Sequence, residues 1–285
     1  MKIWLLHILV NGSLTAAAAV GLSLHLRLVR FFDLGWALWA MISAIVGILA
    51  AKSTSSPVAG ILAAGLLGAL MGAVEDGLIL KKAFTSYIPY DVLERFSFSG
   101  ALGIYLALTS ATEAAGFRAW EIVPVSESET FGLTPTETII VLICVVLLAS
   151  LSILKVTHYG ARLRAVLDEP SVSQLYGINV ASYACMIGGI AGLLTGVASC
   201  SFGLLYFANT GTGFSLMMLA VIPCLIVGIH NSLRVIVASS AFVSTVLAVR
   251  FLLGYEASEF VIYGSMVVIL LIMPSGFTGS RLREI

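Results

Sequence analysis

Apolar residues occur along the chain in long continuous blocks that are separated by short polar segments. A helix needs about 20 apolar residues to cross a bilayer, whereas the strands of a membrane barrel would alternate apolar and polar positions. The blocks that predict spans are 3–26, 31–51, 57–73, 96–115, 137–154, 180–207, 214–228, 233–254 and 260–273. The pattern predicts an all-α, polytopic transmembrane helical bundle with about eight or nine spans, which forms one domain over residues 1–285.

Composition supports a membrane protein. The chain is 59% hydrophobic and only 11% charged, while soluble domains have about 25% charged residues. These values exclude a soluble enzyme, a nucleic-acid-binding protein and a disordered chain. We therefore expect the lipid bilayer, and no nucleic acid, as a partner of this chain.

Basic residues are divided unevenly between alternate connecting segments. Only Lys2, Lys52, Arg118 and Arg250, of the 15 lysines and arginines, lie on one side of the predicted bundle. Because cytoplasmic loops are enriched in lysine and arginine, the other side is predicted to be cytoplasmic. This side holds residues 155–179 and the C-terminus, and we expect a multi-pass protein of the bacterial cytoplasmic (inner) membrane with its N-terminus outside.

Small residues recur at every fourth position in three predicted helices, which is typical of closely packed membrane helices. One stripe is Ser13, Ala17 and Gly21, and the two longer ones are Gly60, Ala64, Gly68 and Gly72, and Ala184, Gly188, Gly192 and Gly196. We interpret them as helix-packing residues. A substrate path lined by these residues is the alternative.

Motifs for catalysis are absent from the sequence. It has no G-x-x-x-x-G-K-[ST], H-E-x-x-H or G-x-S-x-G, and no His/Cys cluster with metal-ligand spacing. The histidines, including His25, fall near predicted helix ends and are interpreted as interfacial residues. Ionisable residues such as Asp33 and Asp76 also lie near helix ends, so the predicted membrane midplane is almost free of charge, which disfavours proton-coupled transport. We expect no catalytic residue, metal or cofactor in this chain.

Residues 155–179 form the most informative polar segment. Its first half has an apolar face opposite two arginines: Leu163, Val166 and Leu167 against Arg162 and Arg164. Pro170 suits the first turn of a second short helix, at residues 171–176, and Gly177 suits the C-terminal cap of that helix. Two short helices joined at a proline would suit binding by a cytosolic partner, although a surface helix without a partner remains an alternative.

This segment resembles a cytoplasmic motif of the permease subunits of branched-chain amino acid ABC importers. The matching residues are Gly160, Arg164, Ala165, Asp168, Gly177, Ile178 and Asn179. Residues 31–35 (FFDLG) and 273–279 (MPSGFTG) resemble two further stretches of the same family, at the start of the second span and near the C-terminus.

The resemblance implies the permease architecture of an ABC importer and its partners. The chain would pair with a second permease, identical or related, and with two cytosolic ATPase subunits that hold ATP and Mg²⁺. An extracytoplasmic binding protein would deliver a small polar solute, such as a branched-chain amino acid. Residues 155–179 would be the coupling-helix loop, with ATPase-coupling residues Gly160, Arg162, Leu163, Arg164, Ala165, Val166, Asp168, Glu169, Gly177 and Asn179.

In that arrangement Arg162 and Arg164 would contact the ATPase. Leu163, Val166 and Leu167 would pack into a cleft of the ATPase. The sequence assigns no substrate-binding residues. Two other function classes remain open: a self-contained, ion-coupled secondary transporter, and a membrane-embedded enzyme.

Overall fold

Helices account for nearly all of the described chain. The structure, a computed structural model, describes residues 2–30, 33–85, 90–114, 134–154, 156–206, 208–229 and 231–254, together with 260, 263, 264, 267, 268 and 271. Within these residues the helices are α1 (Lys2–Val29), α2 (Gly35–Thr54), α3 (Pro57–Thr85), α4 (Tyr90–Ala114), α5 (Pro135–Leu154), α6 (His158–Asp168), α7 (Pro170–Leu175), α8 (Val180–Leu205), α9 (Thr212–Val227) and α10 (Ser232–Leu253). The prediction of an all-α fold is confirmed.

Six helices in the described residues are long and apolar enough to span a membrane, fewer than the eight or nine expected. They are α1, α2, α3, α5, α8 and α10. Helix α9 is apolar but has 16 residues, about 24 Å of helix, which is shorter than the bilayer core of about 30 Å. Helix α4 begins with the charged residues Asp91, Glu94 and Arg95 and is not among the six. More than half of the residues of the predicted span 260–273 lie outside the described residues.

The centre of the bundle is formed by α1, α2 and α8. More than half of the membrane-spanning window of each of these helices is buried inside the protein, compared with 17% for α5 and 28% for α10. Large apolar side chains such as Leu66, Val237 and Ile153 are exposed on the outer helices. Exposed apolar surface of this extent is suited to contact with lipid. The structure therefore describes a multi-pass membrane protein.

The two longer small-residue stripes meet in the structure. Helices α3 and α8 form the most extensive helix–helix contact of the described chain. A Cβ atom added at Gly68 would overlap the Gly192 carbonyl oxygen, and one added at Gly72 would overlap that of Gly188. Gly60 instead faces α2, where an added Cβ would overlap the carbonyl oxygen of Gly47. The backbones of α3 and α8 thus approach each other without intervening side chains.

We predict that Gly192→Ala destabilises the protein, because the new methyl group would overlap the Gly68 backbone on α3. Overpacking of this kind costs about 1–3 kcal/mol, and thermal unfolding of the purified protein in detergent should detect it. Gly103→Ala is the matched control, since a Cβ there has no neighbour within 4 Å. Equal unfolding temperatures for both variants would contradict the close contact.

Candidate functional site

The predicted pair of short helices at residues 155–179 is present as α6 and α7. The Thr157 hydroxyl oxygen caps α6 by accepting a hydrogen bond from the Gly160 N–H at 3.1 Å. Pro170 begins α7, and Gly177 follows this helix with φ of 76°, in the left-handed region that favours glycine. The Asn179 side chain then caps α8 by accepting from the Ser182 N–H at 3.3 Å. These residues define the start and end of each helix.

The apolar face of α6 is attached to the membrane helices. Its side chains are buried in a cluster with Leu28 of α1 and with residues of α8; the members are Leu163, Val166, Leu167, Leu28, Val180, Ala184 and Ile187. The expectation that Leu163, Val166 and Leu167 pack into an ATPase cleft is therefore corrected. An amphipathic helix buries its apolar face against the nearest apolar surface, and here α1 and α8 of the same chain provide it.

Two ion pairs join the end of α6 to the end of α1. Arg27 Nη2 lies 2.6 Å from Asp168 Oδ1, and Arg30 Nη2 lies 3.4 Å from Glu169 Oε2. Arg30 also donates a hydrogen bond of 2.6 Å to the backbone oxygen of Asp168. The Asp168 and Glu169 side chains, which we expected at an ATPase contact, thus bind this chain's own α1.

The opposite face of α6 and α7 is exposed and combines basic and apolar side chains. Arg162 and Arg164 are exposed, and a hydrogen bond to the Tyr183 hydroxyl raises the pKa of Arg162. Leu175 and Tyr176 are 86% and 83% exposed. Tyr159 and Val172 are exposed as well, while Ala165 is half-buried. We call Tyr159, Val172, Leu175 and Tyr176 the α6–α7 patch.

A cluster of ionisable side chains lies between α1, α2 and α3. His25 Nδ1 lies 2.8 Å from Asp76 Oδ1, and His25 Nε2 lies 3.9 Å from Asp33 Oδ2; all three side chains are fully buried. Trp39 packs edge-on against His25, with ring centroids 4.8 Å apart, and its Nε1 donates a hydrogen bond to Glu75. We call these five residues the His25 cluster.

Glycines make room for the His25 cluster. A Cβ atom added at Gly35 would overlap the Glu75 carboxylate, and one added at Gly188 would contact the Asp76 carboxylate. The Gly35 N–H also donates a hydrogen bond of 3.1 Å to Asp33. Within the described residues no group of three or more His, Cys, Asp or Glu side chains has an arrangement that could hold a metal ion. The hydrogen bonds and short contacts of the His25 cluster join α1 to α3 and to the start of α2.

Sequence reasoning missed the His25 cluster because it interpreted His25 as an interfacial histidine. His25 lies one turn before the end of α1, and Asp76 lies in the last turn of the span 57–78. His25 and Asp76 therefore lie close to the ends of their helices, as the sequence predicted. Their side chains, however, contact each other inside the protein and are not exposed to solvent. Three ionisable residues at a similar depth on three neighbouring helices were the available signal.

Two cavities lie along α1, one beside its N-terminal half and one beside its C-terminal end. The first, which we call the Arg250 cavity, has a volume of about 190 Å³ and lies between α1, α8, α9 and α10. The second, which we call the α6 cavity, has a volume of about 420 Å³; its lining includes Arg27 and Leu24 of α1, Leu163 and Arg164 of α6, and Ile187 of α8. Helix α1 thus contributes side chains to both cavities.

The apolar helices define a multi-pass membrane protein. A family model described as the permease component of branched-chain amino acid transport systems matches residues 4–270. The chain belongs to this permease family. Comparison with curated proteins and with solved structures gives no match.

We predict that His25→Ala strongly destabilises the protein, because Asp33 and Asp76 would keep buried carboxyl groups without the imidazole. Removing one partner of a buried polar pair costs about 3–5 kcal/mol. Thermal unfolding in detergent is the measurement, and His7→Ala is the control, since His7 is an exposed histidine on the same helix. An unfolding temperature of His25→Ala equal to that of His7→Ala would contradict this role.

Proposed function

We propose that the chain is the membrane-spanning subunit of an ATP-driven importer for a small polar solute, of the amino acid type. Membership of the permease family is the observation that carries this proposal. The exposed α6–α7 patch supports it, because a folded, projecting helix pair offers a surface for a separate ATPase. The chain itself would perform no chemistry, and ATP and Mg²⁺ would be held by the ATPase subunits.

The α6 end of the bundle is proposed to be the cytoplasmic end. The basic residues that predict this orientation include Arg27 and Arg30, which contact the end of α6, and Arg162 and Arg164 on α6 itself. Arg250 lies near the other end of the bundle, close to the start of α9. Residues 155–179 and the C-terminus would then be cytoplasmic, in the inner membrane of a bacterium.

The α6–α7 patch is proposed as the ATPase contact, in place of the buried face that the sequence suggested. Leu175 and Tyr176 are among the most exposed apolar side chains of the described chain, and aromatic and aliphatic anchors of this kind dominate binding energy at interfaces. Arg162 and Arg164 would add charge-assisted contacts beside them. Asp168 and Glu169 would hold α6 in position on α1.

Movement of α6 would pass directly to α1. Leu28, Arg27 and Arg30 attach the end of α1 to α6, and Asn11, Leu14 and Thr15 in the N-terminal half of α1 line the Arg250 cavity. A helix that contacts α6 at one point and lines a cavity at another can transmit a shift of α6 to the side chains that line the cavity. A shift of α6 driven by the ATPase would therefore change the Arg250 cavity.

The proposed assembly contains a second permease, identical or related, two ATPase subunits and an extracytoplasmic binding protein. The binding protein would dock at the Arg250 end of the bundle. The lipid-facing sides of α3, α5 and α10 provide surface for the second permease. Membership of a family of branched-chain amino acid transport permeases supports an amino acid as the cargo.

A self-contained, ion-coupled transporter is the second candidate function, and the His25 cluster favours it. Buried ionisable residues within membrane helices commonly carry coupling protons, and His25, Asp33 and Asp76 are fully buried. Uptake by vesicles that contain the chain, a proton gradient and no ATPase distinguishes the two. Gradient-driven uptake would support this second function and contradict the importer.

We predict that Leu175→Asp removes the ATPase from the complex while the permease still folds. A carboxylate at a desolvated contact would be unpaired, which is costly at an interface. The test is purification of the tagged chain from its native membranes, followed by measurement of ATP hydrolysis by the purified assembly. We expect activity with the unmodified chain and at least a tenfold loss with Leu175→Asp.

The control is Thr138→Asp, which places the same charge at an exposed position on α5, away from α6 and α7. This variant should keep full ATPase activity. Normal ATP hydrolysis by the Leu175→Asp assembly would contradict the proposed contact.

A further inference from the structure

We propose that the His25 cluster is a proton-binding site in which the carboxyl groups of Asp33 and Glu75 share one proton at neutral pH. This proton would join α3 to the segment that precedes α2, and its loss at alkaline pH would weaken the contact between the helices. The inference goes beyond the proposed function and does not depend on it, because the cluster would hold its proton whether or not an ATPase drives transport.

The carboxyl groups of Asp33 and Glu75 meet beside Gly35. The Gly35 N–H donates a hydrogen bond of 3.1 Å to Asp33, and the Glu75 carboxyl lies so close to Gly35 that an added Cβ atom would overlap it. The two carboxyl groups are within hydrogen-bond distance of each other. A carboxylate can only accept hydrogen bonds, so a hydrogen bond between these two groups requires that one of them carries a proton.

Acidic side chains outnumber basic ones in the His25 cluster. Ionisation of all three carboxyl groups would leave an excess of negative charge even if the His25 imidazole were positively charged. Uncompensated charge inside a protein is costly, and adjacent carboxylates disfavour the ionisation of each other. One shared proton reduces the excess to a single charge, which faces the N–H groups of Gly35 and Trp39.

The contact between His25 and Asp76 is suited to a charged pair. His25 Nδ1 lies 2.8 Å from Asp76 Oδ1, and both side chains are fully buried. Among the described residues, neither group has a well-directed hydrogen bond. Attraction between opposite charges does not require such alignment. The positive charge of the cluster is therefore placed on His25, and the shared proton on the other two carboxyl groups.

Charged and titratable groups on the neighbouring elements have other contacts. Arg27 and Arg30, at the end of α1, bind acidic residues at the end of α6. On α8, Gly188 faces the Asp76 carboxylate, and Cys185, about one turn earlier, is exposed. The response of the cluster to pH should therefore be set by its own four ionisable groups.

Infrared spectroscopy of the purified full chain in detergent tests for the shared proton, because the C=O band of a protonated carboxyl group is separate from that of a carboxylate. We expect this band at neutral pH in the unmodified chain and its loss in both Asp33→Asn and Glu75→Gln. An amide donates and accepts hydrogen bonds as a protonated carboxyl group does, so both variants should fold. Glu113→Gln, which changes an exposed carboxylate on α4, is the control and should keep the band.

Thermal unfolding at neutral and alkaline pH measures the contribution of the proton. An unfolded chain has ordinary carboxyl groups, which are ionised at neutral pH, so the folded chain would bind one more proton than the unfolded chain. The free energy of unfolding should then fall as the pH rises. We expect a smaller decrease in unfolding temperature for Glu75→Gln than for the unmodified chain, because an amide does not release its proton. Asp76→Asn should instead lower the unfolding temperature at both pH values, since an amide cannot balance the charge of His25.

Absence of the protonated band from the unmodified chain at neutral pH would overturn the proposal, and so would its persistence in both variants. An equal decrease in unfolding temperature for Glu75→Gln and the unmodified chain would contradict it as well. Failure of both amide variants to fold would also contradict it, since the amides reproduce the protonated form. The assays contain no ATPase and no solute, so their outcome is separate from that of the proposed function.

Discussion

Attachment of α6 to the end of α1 is the contact on which the account depends. Leu163, Val166 and Leu167 are buried against Leu28 and α8, and burial of each such side chain contributes about 1.5–3 kcal/mol. The Arg27–Asp168 pair contributes less, because the Asp168 side chain is 62% exposed and exposed pairs are worth about 0–1 kcal/mol. Apolar packing therefore holds α6 in place, while the ion pair fixes its orientation on α1.

Closely packed helices lie beside the contact between α6 and α1. Helices α3 and α8 touch through glycines whose backbones leave no space for side chains, and α8 also packs on α1 and α2. The His25 cluster joins α1, α2 and α3 near the same depth as the α6 contact. Gly188 belongs to both features, because it packs on α3 and leaves room for Asp76. Helix α1 thus lies between these closely packed helices and the docked helices.

Sequence patterns predicted the helices better than the partners of their side chains. Pro170 and Gly177 located α7, since their backbone preferences act locally. The amphipathic pattern of α6 showed that one face is buried but did not indicate against what. The exposure of Leu175 and Tyr176 was missed, because a helix as short as α7 carries too little periodicity. The His25–Asp76 contact and the Arg250 cavity depend on which helices become neighbours, which single-chain periodicity does not specify.

Reversal of the Arg27–Asp168 pair tests most directly whether α6 drives α1. The variants are Arg27→Asp, Asp168→Arg and the two together, each measured for ATP hydrolysis and for solute uptake by the reconstituted assembly. We predict that each single variant hydrolyses ATP but takes up little solute, and that the double variant recovers uptake. Normal uptake by the single variants, or no recovery in the double variant, would contradict transmission through this contact.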